Sequence, residues 1–160
     1  MAGVLSSSRD SVVYIEKVDS QNPMSCSVPV GSHRELYCTA LGKLALAFSN
    51  PEIRERCLSH IDFEAATDTT IVSRFDLEAA LECIRSTGIA TALDERIRGA
   101  SGIAAPILTP DGQLVAGIAL IGPSARVARC IEAYTAKVID EARALTHLVA
   151  AAPSTFITPQ

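Results

Sequence analysis

The segment from Gly99 to Pro123 constrains the fold more than any other part of this chain. It holds two apolar runs, 102–108 and 113–121, which flank the sequence Thr109-Pro110-Asp111-Gly112. Proline and glycine in this order are typical of a tight turn, and the runs carry almost no polar side chain. We therefore expect a hairpin whose two faces are both covered by other parts of the protein.

Side chains alternate across a strand, and this gives the predicted hairpin two unlike faces. If the bulky faces of the two strands coincide, the opposite face carries only Gly102, Ala104, Gly117 and Ala119. Small residues leave space above a sheet, and two interpretations stay open. A helix packs closely into that space, or a small molecule binds there.

The remaining sequence predicts an α+β domain, in which helices pack on a mostly antiparallel sheet. A helix is expected to begin near Thr39, and a long helix is expected over 124–150, where apolar residues recur at helical spacing. The other predicted elements are, in chain order, two strands within 3–18 joined by a polar connection at 6–10, a turn at 21–23, a short strand or extended segment over 24–30, a polar connector at 31–35, a helix over 51–58, a loop at 59–74, a helix over 76–86 and a strand over 89–93.

Length and composition fit one globular domain, predicted over 1–152 and followed by a tail at 153–160. The net charge of −4 is unfavourable for direct binding of nucleic acid. Charged residues or glycine interrupt each apolar run before it reaches the length of a membrane span, and the N-terminus lacks the features of a signal peptide. We therefore expect a cytoplasmic protein that does not bind membranes, with its five cysteines reduced.

Motifs of common catalytic sites are absent from the sequence, which contains no GxSxG, no P-loop and no Rossmann fingerprint. Cys26, His33 and Cys38 lack a fourth partner for zinc, so no metal and no cofactor is predicted. Asp94 and Glu95 are open to two interpretations, as an acid–base pair or as part of a solvated charged loop.

The predicted helix start at Thr39 is a candidate binding feature. Backbone N–H groups at a helix start can bind a carboxylate, although the Thr39 hydroxyl alone can also satisfy this end. Arg34 lies nearby in sequence and could add a bidentate contact to the same anion. These features favour ligand binding over catalysis.

Several segments, taken in order, resemble the effector-binding (C-terminal) domain of IclR-type transcriptional regulators. They are Val12 to Glu16 as the early strand, Gly31-Ser32, Thr39-Ala40-Leu41-Gly42-Lys43, the acidic pair Asp94-Glu95, Gly99 with Ile103-Ala104-Ala105-Pro106-Ile107, and Gly122-Pro123 with Arg126. The resemblance implies a GAF-like fold with a curved sheet, a long C-terminal helix and a pocket for a small metabolite. It implies a ligand sensor and not an enzyme.

The resemblance also implies partners. Full-length members carry an N-terminal winged helix-turn-helix and act as dimers or tetramers on operator DNA. We find no counterpart of that DNA-binding domain in this sequence, so contact with operator DNA is expected only through a part of the parent protein outside this chain.

Binding positions of the family carry over to nine residues here. They are Ala40 and Leu41 at the helix start, Cys26, Arg34 and Ala100 on an apolar wall, Ala92 at an acidic position, and Gly102, Ala119 and Ile121 on the hairpin.

Departures from the family pattern bear on the ligand. Some members have a carboxylate, a cysteine and two serines in place of Ala92, Gly102, Ala119 and Ile121, and Glu35 stands where proline is usual. Arg34 stands where an apolar residue is usual. We therefore expect a larger, relatively apolar or aromatic carboxylate, held by Arg34 and the helix start.

Two other functions stay open. The chain could be a GAF-like thiol redox enzyme, which requires an accessible thiol of low pKa. It could also be a dimerisation module whose cavity is filled by side chains.

Overall fold

Six strands and five helices make up the described part of the chain, seen in a computed structural model. The structure describes residues 2–6, 10–22 and 24–151. The elements are β1 (Ala2–Ser6), β2 (Ser11–Glu16), β3 (His33–Arg34), α1 (Ala40–Phe48), α2 (Pro51–His60), α3 (Arg74–Thr87), β4 (Ala90–Leu93), β5 (Ala100–Leu108), β6 (Leu114–Pro123), α4 (Ser124–Arg129) and α5 (Ile131–Ala151). The strands form one sheet in the order β3-β2-β1-β6-β5-β4, with every neighbouring pair antiparallel. The predicted α+β fold is thereby confirmed.

The hairpin predicted from the sequence is β5 and β6. The backbone N–H of Gly112 donates to the carbonyl of Thr109 at 2.9 Å, which closes the turn. Gly112 has a φ of +83°, a conformation that costs glycine little and other residues much more. In the register of the pair, Ile103 lies opposite Leu120 and Ala104 opposite Ala119, so the bulky faces coincide as expected.

Helices cover the two faces of this sheet separately. On the bulky face, Ile103 and Ala105 form a buried cluster with residues of α4 and α5, among them Val127 and Val138. On the small-residue face, α1 lies over β5 and β6, and α3 packs on α1. Burial of the apolar side chains between these layers supplies the main favourable free energy of folding.

The small-residue face is divided between a helix and a cavity. A Cβ atom at Gly117 would lie 2.6 Å from Cδ2 of Leu41 and 2.8 Å from Cδ2 of Leu44, so α1 occupies the space there. At Gly102, the nearest atom to such a Cβ is 3.5 Å away, on Ala40, so a methyl group would fit there without a clash. The helix interpretation is therefore confirmed at the Gly117 end of the hairpin, whereas at the Gly102 end the small residues line a cavity, and binding of a small molecule there stays a prediction.

The start of α1 follows the sequence prediction. The Thr39 hydroxyl accepts a hydrogen bond from the N–H of Gly42 at 3.1 Å and donates one to the carbonyl of Glu35 at 2.7 Å. A Cβ at Gly42 would lie 2.5 Å from that carbonyl oxygen and 2.6 Å from Cα of Leu36. Only glycine at this position lets the preceding segment cross the helix so closely.

Four predictions need correction. The connector at 31–35 contains the edge strand β3, because its backbone pairs with β2, where the N–H of Gly31 donates to the carbonyl of Tyr14 at 2.7 Å. Residues 24–30 form no strand, so the strand alternative predicted there is wrong, whereas the alternative of an extended segment is not contradicted. The second helix continues to His60. The predicted helix over 124–150 is two helices, because Cys130, with φ −116° and ψ 20°, interrupts the helical backbone.

Parts of three predictions lie outside the described residues: 7–9 of the polar connection, Pro23 of the predicted turn, and the tail at 153–160. Among the described residues, no helix is both long enough and apolar enough to cross a membrane.

Substitution of Gly42 tests the close crossing at the start of α1. We expect Gly42→Ala to lower the free energy of unfolding by about 1–3 kcal/mol, because the new methyl group meets backbone atoms that cannot rotate away. Gly102→Ala is the matched control and should change stability by less than about 1 kcal/mol, because its methyl group makes only ordinary van der Waals contacts, at 3.5 Å or more. Urea denaturation of the three proteins measures both changes, and equal stability of the two variants would contradict this account.

Candidate functional site

A cavity of about 130 Å³ lies between the start of α1, the core face of β2 and β3, and the end of the hairpin near Gly102. The loop at 94–99 forms one edge of the cavity. Its lining residues are Tyr14, Ser27, Val28, Arg34, Cys38, Thr39, Ala40, Leu41, Ala92, Arg96, Ile97, Ala100, Ser101, Gly102, Ala119 and Ile121.

All but one of the binding residues predicted from the sequence line this cavity. They come from four different parts of the fold: β3, the start of α1, β4 and the hairpin. The exception is Cys26, which lies against a neighbouring cavity of about 380 Å³. The two cavities share Ala119 and Ile121, so the chain segment that carries Cys26, Ser27 and Val28 runs between them.

The helix start presents two backbone donors at the cavity. Ala40 and Leu41 are both buried and both line it. The N–H groups of these first two helical residues have no hydrogen-bond acceptor among the described residues, whereas the Thr39 hydroxyl accepts from Gly42. A helix N-terminus carries a partial positive charge as well as free donors. An anion in the cavity could accept hydrogen bonds from these donors and would be attracted by the partial positive charge.

Tyr14 brings a third polar group to the same cavity. It is only 3% exposed, and none of the described residues forms a hydrogen bond with its hydroxyl. Burial raises the pKa of the Tyr14 hydroxyl above its usual value, while the positive charges of Arg34 and Arg96 partly counteract this. The hydroxyl therefore stays protonated at neutral pH and is available to donate a hydrogen bond.

Two guanidinium groups line the cavity and differ in their partners. Arg96 pairs with the carboxylate of Glu35, with Nε 2.6 Å from Oε2 and Nη2 3.3 Å from Oε1. Arg34 donates through Nη1 to the carbonyl of His33 at 2.7 Å, and no carboxylate of the described residues forms an ion pair with it. Arg34 thus keeps unused donors for a bound carboxylate.

The ion pair with Arg96 affects the pKa of the Glu35 carboxyl. Burial raises the pKa of the Glu35 carboxyl, but the hydrogen bond from Arg96 and the charges of Arg96 and Arg34 outweigh this and hold the pKa below its usual value. Glu35 is therefore charged at neutral pH, and it neutralises Arg96.

The opposite wall of the cavity is apolar and made of small residues. Ala92, Ala100, Gly102, Ala119 and Ile121 lie there and offer no side-chain hydrogen bond. The cavity consequently has one polar end and one apolar wall. Sites that bind a ligand with a charged head and an apolar body usually have this arrangement.

A buried ion pair positions the loop that carries Arg96. Nζ of Lys43, on α1, lies 2.6 and 2.8 Å from the two carboxylate oxygens of Glu95, and the Lys43 side chain is only 4% exposed. The Glu95 carbonyl accepts a hydrogen bond from the Thr70 hydroxyl at 2.6 Å. Glu95 is thus held through both its side chain and its backbone, which places Arg96 at the edge of the cavity.

Asp94 and Glu95 both make contacts that stabilise the fold. Asp94 has a φ of +59° and accepts hydrogen bonds from the N–H of Gly99 at 2.6 Å and from the Ser124 hydroxyl at 2.7 Å. Neither Asp94 nor Glu95 lines the cavity. Of the two interpretations open for this pair, the solvated charged loop is wrong for Glu95, because Glu95 is buried and Lys43 compensates its charge inside the protein.

The cysteines are separated, and the two buried ones hold their protons. Burial raises the pKa of the Cys38 thiol to about 12, and the charge of Glu35 adds to the effect. Burial is also the main cause that raises the pKa of the Cys57 thiol, to about 11. A hydrogen bond from this thiol to the carboxylate of Asp10 contributes in the same direction. No group of three or more metal-binding side chains is found within the described part of the chain. Nδ1 of His33 instead lies 2.7 Å from the Ser11 hydroxyl oxygen.

Sequence reasoning missed Tyr14 and Arg96 as cavity residues. Tyr14 could have been found, because it shares a strand face with the buried Val12. Arg96 carries no such signal, since its position depends on Lys43 and on Glu35, both distant in sequence.

Comparison with known proteins identifies related chains. Residues 4–147 match the model of a family described as bacterial transcriptional regulator IclR C-terminal. The HTH-type transcriptional regulator KdgR of Escherichia coli K12 is 29% identical over 138 residues, which cover 86% of this chain and 52% of KdgR. The HTH-type transcriptional regulator BhcR of Paracoccus denitrificans is 31% identical over 138 residues, covering 86% of this chain and 50% of BhcR. The chain therefore spans about half the length of these curated relatives.

Solved structures share the fold. The C-terminal domain of E. coli KdgR has a TM-score of 0.80 at 28% identity and covers 93% of this chain and 85% of its own. A homologue from Microbacterium hydrocarbonoxydans, crystallised in complex with 4-hydroxybenzoate, has a TM-score of 0.82 at 21% identity and covers 94% of this chain and 60% of its own.

Removal of one partner of the buried ion pair should destabilise the fold. We expect Lys43→Met to lower the free energy of unfolding by about 3–5 kcal/mol, because the Glu95 carboxylate is left buried without a counter-charge. The double variant Lys43→Met/Glu95→Leu should recover part of this loss. Lys137→Met, which breaks an exposed ion pair with Glu141 on α5, is the control and should cost less than about 1 kcal/mol. Denaturant titration distinguishes these outcomes, and an equal loss for Lys43→Met and Lys137→Met would contradict the account.

Alkylation measures the state of the thiols. At pH 7.5, we expect iodoacetamide to modify Cys38 and Cys57 more than about a hundredfold more slowly than the exposed Cys83, because only the thiolate reacts and a raised pKa suppresses it. Peptide mass spectrometry after timed quenching of the folded protein gives the three rates. Labelling of Cys38 as fast as that of Cys83 would overturn this assignment.

Proposed function

Because this chain belongs to the IclR C-terminal family of bacterial transcriptional regulators, we propose that it binds a small carboxylate and transmits its presence to a longer regulator. The observation that supports the proposal is that Ala40 and Leu41, whose backbone N–H groups have no acceptor among the described residues, line the same cavity as Arg34. Free N–H groups, a helix dipole and a cation at one end of a cavity together favour a bound anion.

The volume and the polarity of the cavity limit the class of ligand that it can bind. A protein cavity of about 150 Å³ can hold a benzene molecule, and the cavity here is of similar volume, at about 130 Å³. The apolar wall around Gly102 and Ala119 offers no partner for a second polar group on the ligand. A carboxylate with one aromatic ring, or an aliphatic chain of the same size, therefore fits better than a small polar 2-oxo acid.

The ligand of one structural relative agrees with this class. The Microbacterium protein was crystallised with 4-hydroxybenzoate, which has one ring and one carboxylate, and which differs from the class proposed here by a hydroxyl group. The two proteins are 21% identical and share the fold, so this agreement concerns size and charge and not a particular metabolite.

Eight of the nine residues predicted from the sequence enter the proposed site: Arg34, Ala40, Leu41, Ala92, Ala100, Gly102, Ala119 and Ile121. Tyr14 and Arg96 join them. Cys26 lies against the neighbouring cavity, so we leave it out of the proposed binding set.

A regulatory role is favoured over thiol chemistry. The cysteine that lines the cavity, Cys38, has its pKa raised to about 12, which is opposite to what a reactive thiol requires. The curated relatives are described as HTH-type transcriptional regulators. We infer that the parent protein is a cytoplasmic dimer or tetramer that contacts operator DNA through a separate domain, and that residues 1–152 act as its sensor.

Binding of matched ligands tests the proposal. We expect benzoate to raise the melting temperature in proportion to the logarithm of its concentration, because a ligand that binds only the folded state stabilises it. Benzamide, which has nearly the same shape and no charge, should bind at least about tenfold more weakly, because charge-assisted hydrogen bonds are the stronger ones. Isothermal titration calorimetry gives both affinities.

The Arg34→Ala variant should lose about tenfold or more in benzoate affinity, whereas Arg129→Ala, which removes an exposed arginine at the end of α4, should keep the wild-type value. Equal binding of benzoate and benzamide, or full affinity in Arg34→Ala, would refute the carboxylate assignment.

A further inference from the structure

We propose that Glu35 determines how many negative charges a ligand of the cavity can carry. By pairing with Arg96, Glu35 leaves Arg34 as the one guanidinium free to bind a carboxylate among the described residues that line the cavity, so the cavity selects monocarboxylates over dicarboxylates. This inference rests on the proposed function, in that the cavity must first bind carboxylates at all. It adds a specificity-determining residue that does not itself line the cavity.

The geometry of the Glu35–Arg96 pair supports this role. Both carboxylate oxygens of Glu35 face guanidinium nitrogens of Arg96, at 2.6 and 3.3 Å, which is a two-point contact. Side chains that pair in this way match in shape as well as in charge, and a competing carboxylate must break both contacts to replace Glu35. The Arg96 side chain is 33% exposed and the Glu35 side chain 44%, so the pair lies at the edge of the cavity and is partly screened by solvent.

The charge balance follows from the lining residues. Among the described residues that line the cavity, Arg34 and Arg96 are the charged ones, and both are positive. With Glu35 ionised, the three side chains sum to a single positive charge. The start of α1 adds only a partial charge. One negative charge on the ligand neutralises this net positive charge. A second negative charge would have no cation to pair with among these side chains.

Tyr14, Arg34 and Arg96 all line the cavity, and Glu35 pairs with Arg96 at its edge. Burial raises the pKa of the Tyr14 hydroxyl, while the charges of Arg34 and Arg96 lower it and the charge of Glu35 raises it. A carboxylate next to the Tyr14 hydroxyl would therefore meet Arg34 directly and would meet Arg96 only through competition with Glu35. Burying an unpaired second carboxylate there would be strongly unfavourable.

A comparison of ligands that differ by one carboxylate tests the inference. We would titrate the chain with benzoate and with the three benzenedicarboxylates, which place the second carboxylate at every available position on the ring, at constant ionic strength. We expect the wild type to bind benzoate at least about tenfold more tightly than any dicarboxylate, because two charge-assisted hydrogen bonds must be lost to admit the second group. Equal affinity of the wild type for benzoate and a dicarboxylate would overturn the inference.

The Glu35→Gln variant should reverse this preference. Glutamine keeps the size of the side chain and leaves intact the Glu35 carbonyl, which accepts from Thr39. The ratio of dicarboxylate to benzoate affinity should rise by about tenfold or more, because Arg96 becomes available. The double variant Glu35→Gln/Arg96→Gln should return to a preference for benzoate. An unchanged ratio in Glu35→Gln, or a raised ratio that survives in the double variant, would contradict the role of Glu35.

Glu64→Gln is the matched control, since it removes the same charge from an exposed loop position and should leave the ratio unchanged. A ratio that rises equally in Glu64→Gln would refute the inference in favour of a general charge effect. If benzoate binds and only the ratio fails to respond to Glu35→Gln, the inference falls and the proposed function stands. If neither benzoate nor any dicarboxylate binds, both fall together.

Discussion

The close contact between α1 and the hairpin is the constraint on which the rest of the structure depends. Leu41 and Leu44 fill the space above Gly117, and Gly42 lets the preceding segment cross the helix within van der Waals distance. Because interiors are packed as densely as organic crystals, this contact determines where the helix starts relative to the sheet. The cavity exists because the same contact does not extend to Gly102. One end of the hairpin is packed, and the other remains open.

Ion pairs connect the core to the edge of that cavity. Lys43 emerges from the helix that packs on the hairpin and compensates Glu95, and Glu95 places its neighbour Arg96 where Glu35 can reach it. The Lys43–Glu95 pair is buried, so loss of either partner leaves an uncompensated charge, whereas the Glu35–Arg96 pair is partly exposed to solvent. The two ion pairs thus differ in burial along the path from the core to the edge of the cavity.

Much of this arrangement could be predicted from local patterns. The hairpin, the cap at Thr39 and the buried strand before Glu16 all follow from turn residues, capping residues and alternation, which depend on neighbours in the sequence. The candidate binding residues came from the resemblance to a family, and all but Cys26 line one cavity. The break at Cys130 was missed because apolar spacing continues through it, so the periodicity carries no sign of the interruption.

The sequence by itself determined the α+β class, the pairing of the bulky hairpin faces and the helix that begins after Thr39, because each rests on interactions between residues close in the chain. Only the tertiary structure decided whether a helix or a cavity lies above the small residues of the hairpin. It also decided which of the two cavity guanidinium groups, that of Arg34 or that of Arg96, pairs with a carboxylate. Those outcomes depend on how far Leu41 and Leu44 reach and on the pairing of Glu35 with Arg96, groups 61 residues apart whose meeting no local pattern encodes. The charge of the site is therefore a property of the fold, although every charge in it can be read from the sequence.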